Sequence, residues 1–253
     1  MKILAVETST SAASAALIVD GSLRCEYILN DGKKHSEKLI NLIDKVLKDG
    51  ATEPKDIDVF AYSMGPGSFT GLRLGAAAIK AMAQATNKPT IAVPTLDALA
   101  YNLWNCTGLI CPIQDAQRDM VYSSLYSFKD FELEKIEDYQ AITIDELIER
   151  LEVYNDCITF LGDGVPIFKE RLKEGLDKAY FAPLGALFPK ASSIASLAAF
   201  EYEKGNIMDY KGLELNYIRK SHAEVEYEKK HKIITKAMEI GDIKSVHEIE
   251  TMS

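Results

Sequence analysis

The chain has 253 residues, 47% of them hydrophobic and 26% charged, enough to bury a sizeable core in one large domain or two lobes. A formal charge of -9 excludes a lone binder of nucleic acid, because phosphate contacts draw on clustered Lys and Arg; work on RNA would need a more basic partner. Four scattered cysteines (Cys25, Cys106, Cys111, Cys157) match no zinc or redox spacing, and no apolar run approaches the roughly 20 residues of a membrane helix. Reduced thiols and a cytoplasmic location are the expectation.

In chain order, residues 3–6 read as a short buried strand that ends at Glu7-Thr8-Ser9-Thr10. Asp20-Gly21 between apolar runs predicts a hairpin, since both residues tolerate positive φ. A helix is expected over 36–48, with Ser36 as N-cap, Glu37 in the positive first turn and Gly50 beyond its end. A strand at 57–62 leads into "SMGPGSFTGLRLG", and a second helix over 71–85 follows it. A strand at 90–93 and a helix through "LDALAYNLW" complete an α/β lobe with a mixed sheet and crossover helices. The pattern then recurs. "LICPIQDAQRDMVYSSLYSF" again gives a strand ending on an acid (Asp115), a turn and a strand pair, which points to two related lobes joined near 105–108. Thr143 and Glu146 form a capping box, "CITFLGDGV" is a strand ending in a Gly-Asp-Gly turn, and 192–204 reads as a late helix. The last residues, 225–253, read as a charged, solvated tail, with a short helix over 233–240 as the alternative.

The Gly-rich stretch resembles a phosphate loop but lacks the Walker A lysine and the Rossmann spacing, and no second glycine pair is visible to match it. Two readings stand: a tight strand-to-helix connection, or direct anion binding. The helix after it gathers Arg73, Lys80 and Gln84 into one stripe, leaving an apolar circumference wider than one sheet covers. Gly71, Gly75 and Ala78 are spaced to admit a second helix. The preceding helix carries Leu39, Ile40, Leu42, Ile43, Val46 and Leu47 on one broad arc. The expected partner interface is Leu39, Ile40, Leu42, Ile43, Val46, Gly71, Leu74, Gly75, Ala78 and Met82; exposed alanines of no special role are the plainer reading. Glu7 and Asp115 each close a central strand. They could hold Mg²⁺ beside a nucleotide, or serve as loop and cap residues. His35, His222, His231 and His247 show no metal-binding spacing, and there is no G-x-S-x-G elbow.

Five stretches, "ILAVETSTSAASAAL", "YSMGPGSFTGLRLGAAAIKAMA", "IAVPTLDALA", "DAQRDMVY" and "NYIRKSHAE", together resemble the TsaB, or YeaZ, family over residues 2–224. The resemblance implies an actin-like, ribonuclease-H-like fold of two lobes, here 1–105 and 106–224. It implies a place in the machinery that makes threonylcarbamoyladenosine beside the anticodon of tRNAs reading codons that begin with A. In that machinery the family is thought to be a non-catalytic scaffold of its paralogue TsaD, which transfers the threonylcarbamoyl group; TsaE, an ATPase, joins them. The TsaD contact is implied to run through the helices at 36–48 and 71–85, and homodimers of the chain alone through the same surface. tRNA would be met only through the complex. No cofactor is implied for this chain itself, although ATP or ADP with Mg could be held in the complex. The residues of this chain read as a candidate nucleotide or phosphate site are Glu7, Thr8, Ser9, Thr10, Gly65, Gly67, Ser68 and Asp115. Thr95 and Leu99 stand where TsaD carries its metal-binding histidines, so no metal is expected. Two departures from the family pattern are Glu7, commonly Asp, and Leu215-Asn216 before Tyr217, where proline is commoner. A Mg-nucleotide-dependent phosphotransferase or ATPase of the same superfamily is the alternative function.

Overall fold

A computed structural model describes residues 1–32 and 35–218 of the chain. The tail at 225–253, the alternative helix at 233–240 and His222, His231 and His247 lie outside the described residues, as does the side chain of Ser36.

The first sheet contains β1 (Lys2–Glu7), β2 (Ala13–Val19), β3 (Ser22–Leu29), β4 (Val59–Gly65) and β5 (Thr90–Pro94), in the order β3-β2-β1-β4-β5. β1, β2 and β3 are antiparallel neighbours, whereas β4 and β5 run parallel to β1. The β2–β3 turn has Asp20 at φ 50 and Gly21 at φ 76, as the Asp-Gly signal predicts. α1 (His35–Asp49) and α2 (Phe69–Thr86) lie on one face, and α3 (Thr95–Tyr101) leaves toward the second sheet. α1 starts before its expected cap, so Ser36 falls inside the helix. α2 is capped by the Ser68 hydroxyl, which accepts from the Gly71 amide at 3.3 Å, and it ends on Asn87 at φ 52.

The second sheet repeats this plan. β6 (Leu109–Asp115), β7 (Met120–Lys129), β8 (Glu132–Thr143), β9 (Ile158–Leu161) and β10 (Ala179–Phe181) are ordered β8-β7-β6-β9-β10, the same sequence of antiparallel and parallel pairings. The strand pair expected within 109–128 is a single strand, β7, whose partner β8 lies beyond it. α4 (Ile144–Leu151) opens with the Thr143–Glu146 capping box, and α5 (Val165–Gly175) follows the Gly-Asp-Gly turn.

Period-two alternation distributes β1 between two cores. Leu4 and Val6 face α1 and α2; Ile3 and Ala5 face α6 (Ala191–Glu203). α6 therefore packs on β1 and β2 although it comes late in the chain. The segment after it continues across the first sheet: Met208 pairs with Thr90, Tyr62 Oη donates to the Glu214 carbonyl at 2.9 Å, and Asn216 N donates to the Met64 carbonyl at 2.7 Å. A proline at 216 could not make that last bond. Among the described residues no helix is long and apolar enough to cross a membrane.

Candidate functional site

On α1, Leu39, Leu42, Ile43 and Val46 are all buried within a single copy of the chain, packed in one core with Leu4, Val6 and Phe60. The broad arc read from the sequence as surplus is mostly covered by the chain's own sheet and by α2. Ile40 is the member that remains outside, 61% exposed. On α2, Leu74, Ala78 and Met82 form a half-buried line at four-residue spacing, beside exposed Ala77, Ala81 and Ala85. The apolar surface left uncovered on α1 and α2 is thus narrower than two full helix faces.

The glycines of α2 do not face an open side. A Cβ on Gly75 would lie 2.4 Å from Thr8 Oγ1. Thr8 Oγ1 in turn donates to the Gly71 carbonyl at 2.8 Å. What the small residues admit is the end of β1, and the expectation that Gly71 and Gly75 admit a second helix is corrected accordingly.

The same closeness fills the Gly-rich turn. Gly67, at φ 150, would place a Cβ 2.5 Å from the Ser9 carbonyl, and Ser68 N donates to that carbonyl at 2.7 Å. A Cβ on Gly65, at φ 114, would lie 2.4 Å from the Asn216 carbonyl. The turn is a tight strand-to-helix connection, as the first of the two readings expects. A second glycine pair does exist: Gly162 and Gly164 follow β9, the topological counterpart of β4. A Cβ on Gly162 would sit 1.9 Å from the Ile113 carbonyl, so this turn too is filled by backbone.

Glu7 and Asp115 are not a matched pair. Glu7 is 1% exposed and lies on the core face with Ile3 and Ala5. Its Oε1 accepts from Ser9 N at 2.5 Å, and burial pushes its carboxyl above the ordinary glutamate value against that hydrogen bond. Asp115 is exposed and caps its own turn, accepting from Gln117 N at 2.8 Å. Thr10 likewise accepts from Ala12 N at 3.3 Å. Thr8 is bound to the Gly71 carbonyl and the Ser9 carbonyl to Ser68 N, so several of the residues expected to cradle phosphate already have partners within the chain. Thr95 and Leu99 are both fully buried.

Three residues near these strand ends and loops were missed by sequence reasoning. Gln114, buried near the end of β6, reaches across with its Nε2 to Ser9 Oγ at 3.4 Å. Lys38 on α1 is 4% exposed and donates to the carbonyls of Ser11 and Leu29 and to Asp31. Asp163, between the second pair of glycines, accepts from Asp115 N at 3.0 Å; burial, then the charge of Asp115, pushes its carboxyl up to about 6. The Gly-Asp-Gly signal could have found Asp163 had the two sheets been aligned strand by strand.

The comparisons agree with this architecture. Residues 26–231 match the family model described as TsaD, tRNA N6-adenosine threonylcarbamoyltransferase. The tRNA threonylcarbamoyladenosine biosynthesis protein TsaB of Bacillus subtilis is 31% identical over 228 residues, covering 90% of this chain and 98% of that protein. TsaB of Escherichia coli is 28% identical over 227 residues, covering 88% and 96%. Among solved structures, YeaZ from Pseudomonas aeruginosa has a TM-score of 0.73 at 24% identity, covering 85% of this chain and 99% of that one. An α/β chain with two sheets of matching strand order, and a relative 31% identical over 90% of it, lead to one conclusion: this chain belongs to the TsaB (YeaZ) family and has its actin-like α/β fold.

Proposed function

We propose that this chain is a non-catalytic subunit in the biosynthesis of threonylcarbamoyladenosine on tRNA, acting as a scaffold for the transferase TsaD. The observation that carries this reading is the self-filling of both strand-end turns. Open α/β sheets bind ligands beyond the carboxyl ends of their strands, and in this chain those places are taken by its own backbone and hydroxyls. The net charge of -9 supports contact with tRNA only through the complex. The strip of Ile40, Leu74, Ala78 and Met82 offers the first surface for TsaD, and for a second copy of the chain when TsaD is absent. TsaE joins the assembly, and ATP or ADP with Mg belongs to the other subunits. The alternative, a phosphotransferase or ATPase centred on Glu7 and Asp115, draws no support from their opposite environments.

The test uses Met82→Asp and Ile40→Asp. A charge placed on a half-buried or exposed position leaves the fold intact but is buried unpaired in the complex, which should cost about 2–4 kcal/mol, or roughly 30-fold or more in Kd. Variants that fold normally yet lose copurification with TsaD and modified-tRNA yield in a reconstituted reaction support the scaffold. Full binding and full yield from both would refute it. Mg-ATP turnover by the isolated chain, abolished by Glu7→Ala, would favour the enzyme instead.

A further inference from the structure

The two sheets are joined by α3, and α3 serves both. Leu96, Leu99 and Ala100 belong to the core of the second sheet, whereas Ala98 belongs to the first. Asp97 sits in the first turn of this helix, where the positive end of the dipole favours a carboxylate, and it also has partners on the second sheet. Asp97 Oδ1 accepts from Tyr126 Oη on β7 at 2.6 Å and from Tyr139 Oη on β8 at 2.7 Å. Lys135 Nζ lies 3.8 Å from the same oxygen and 3.6 Å above the ring of Tyr139. Burial first, and then the charge of Asp97, holds both phenols well above the ordinary tyrosine value, so they remain neutral donors.

A second tie lies one turn further on. Asn102, just past α3, donates from Nδ2 to the carbonyls of Ala186 and Phe188 at 3.1 and 2.8 Å, and its Oδ1 accepts from Ser193 Oγ at 2.7 Å. The chain crosses between the sheets twice, through α3 and again between β10 and α6, and Asn102 binds one crossing to the other. Hinges need a few terminal residues free to change φ and ψ. Here both crossings are held by side chains.

We propose that Asp97 is a bolt between the two sheets. With Asn102 behind it, it fixes the angle between them, so that the molecule works as one rigid body and does not open or close around a ligand. This inference is independent of which partner the chain binds.

Spin labels at Ala81 on α2 and Val153 after α4, both exposed, read the distance between the sheets when Cys25, Cys106 and Cys157 are changed to Ser. The otherwise unaltered chain should give one narrow distance distribution, unmoved by Mg-ATP. Tyr126→Phe combined with Tyr139→Phe keeps the rings and removes both donors. It should broaden the distribution or add an open component of about 10% or more. A broad distribution without those changes would overturn the proposal, as would a double variant with a lowered unfolding midpoint but the same distance. Should the double variant fail to fold, Tyr139→Phe and Asp97→Asn, each read the same way, decide the matter.

Discussion

Replacing Gly75 by Ala isolates the close seat of α2 on the first sheet. Helix propensity alone would make the variant about 0.8–1 kcal/mol more stable. The new methyl, however, would lie 2.4 Å from Thr8 Oγ1, well inside contact distance. Either Thr8 turns away and gives up its hydrogen bond to Gly71, worth about 1 kcal/mol, or α2 lifts from the sheet, at the roughly 1–3 kcal/mol typical of an overpacked core. Set against the propensity gain, the net expectation is a loss of up to about 2 kcal/mol, and each kcal/mol should lower Tm by about 2–4 °C in a chain of this length. Thr8→Ala supplies the control. With Oγ1 and Cγ2 gone, the nearest remaining Thr8 atom is Cβ at 3.6 Å, an ordinary contact. Gly75→Ala in the Thr8→Ala background should therefore be neutral or mildly stabilising, giving a coupling energy of about 1–3 kcal/mol. Urea unfolding of the four proteins, followed by far-ultraviolet circular dichroism, completes the cycle. A Gly75→Ala chain more stable than its parent, or a cycle without coupling, would refute the seat.

Leu39→Ala and Ile40→Ala should separate folding from docking: the first costs about 2–5 kcal/mol of stability, the second about 0.5 kcal/mol or less, in the same denaturation assay. Equal costs would show that the apolar arc of α1 is not divided between core and surface as described. Asp163 makes a pH prediction, because its carboxyl rises from 3.8 unfolded to about 6 folded. The native state then binds the extra proton, so stability is lost as pH climbs from about 4 through about 6 and is not recovered above. Asp163→Asn keeps an oxygen for Asp115 N, and should be about 1–3 kcal/mol more stable than the parent near pH 8, a gain shrinking toward zero at about pH 4. A constant difference across that range would contradict the assignment.

Elements whose signals are local were legible in the sequence. The apolar run of β1, the Asp20-Gly21 turn and the Thr143–Glu146 box each carry their own backbone logic. The hairpin at Asp130 and Phe131 was not legible, because φ values of 50 and 66 there belong to residues with no glycine or asparagine signature. The β7–β8 ladder imposes that turn from outside. The site shows the same division. A helical wheel reveals that α1 has a broad apolar arc, but not that β1, β4 and α2 share in covering it. Glycines four residues apart announce a close approach without naming what approaches, which proved to be Thr8. The burial of Glu7 was legible: counting by twos from Ile3 and Ala5 already puts its side chain on their face of the sheet.

The late placement of α6 has a bearing on how the chain is made. A ribosome releases β1, β2, β4 and β5 long before Ala191, Ile194, Ala195 and Ala198 exist, and those four residues cover Ile3, Ala5, Val59 and Ala61. During that interval one whole greasy side of the first-made sheet stands bare. A nascent chain stalled before residue 190 should hold its amino-terminal half only loosely, and should become protease-resistant within the few dozen residues that bring α6 out of the exit tunnel.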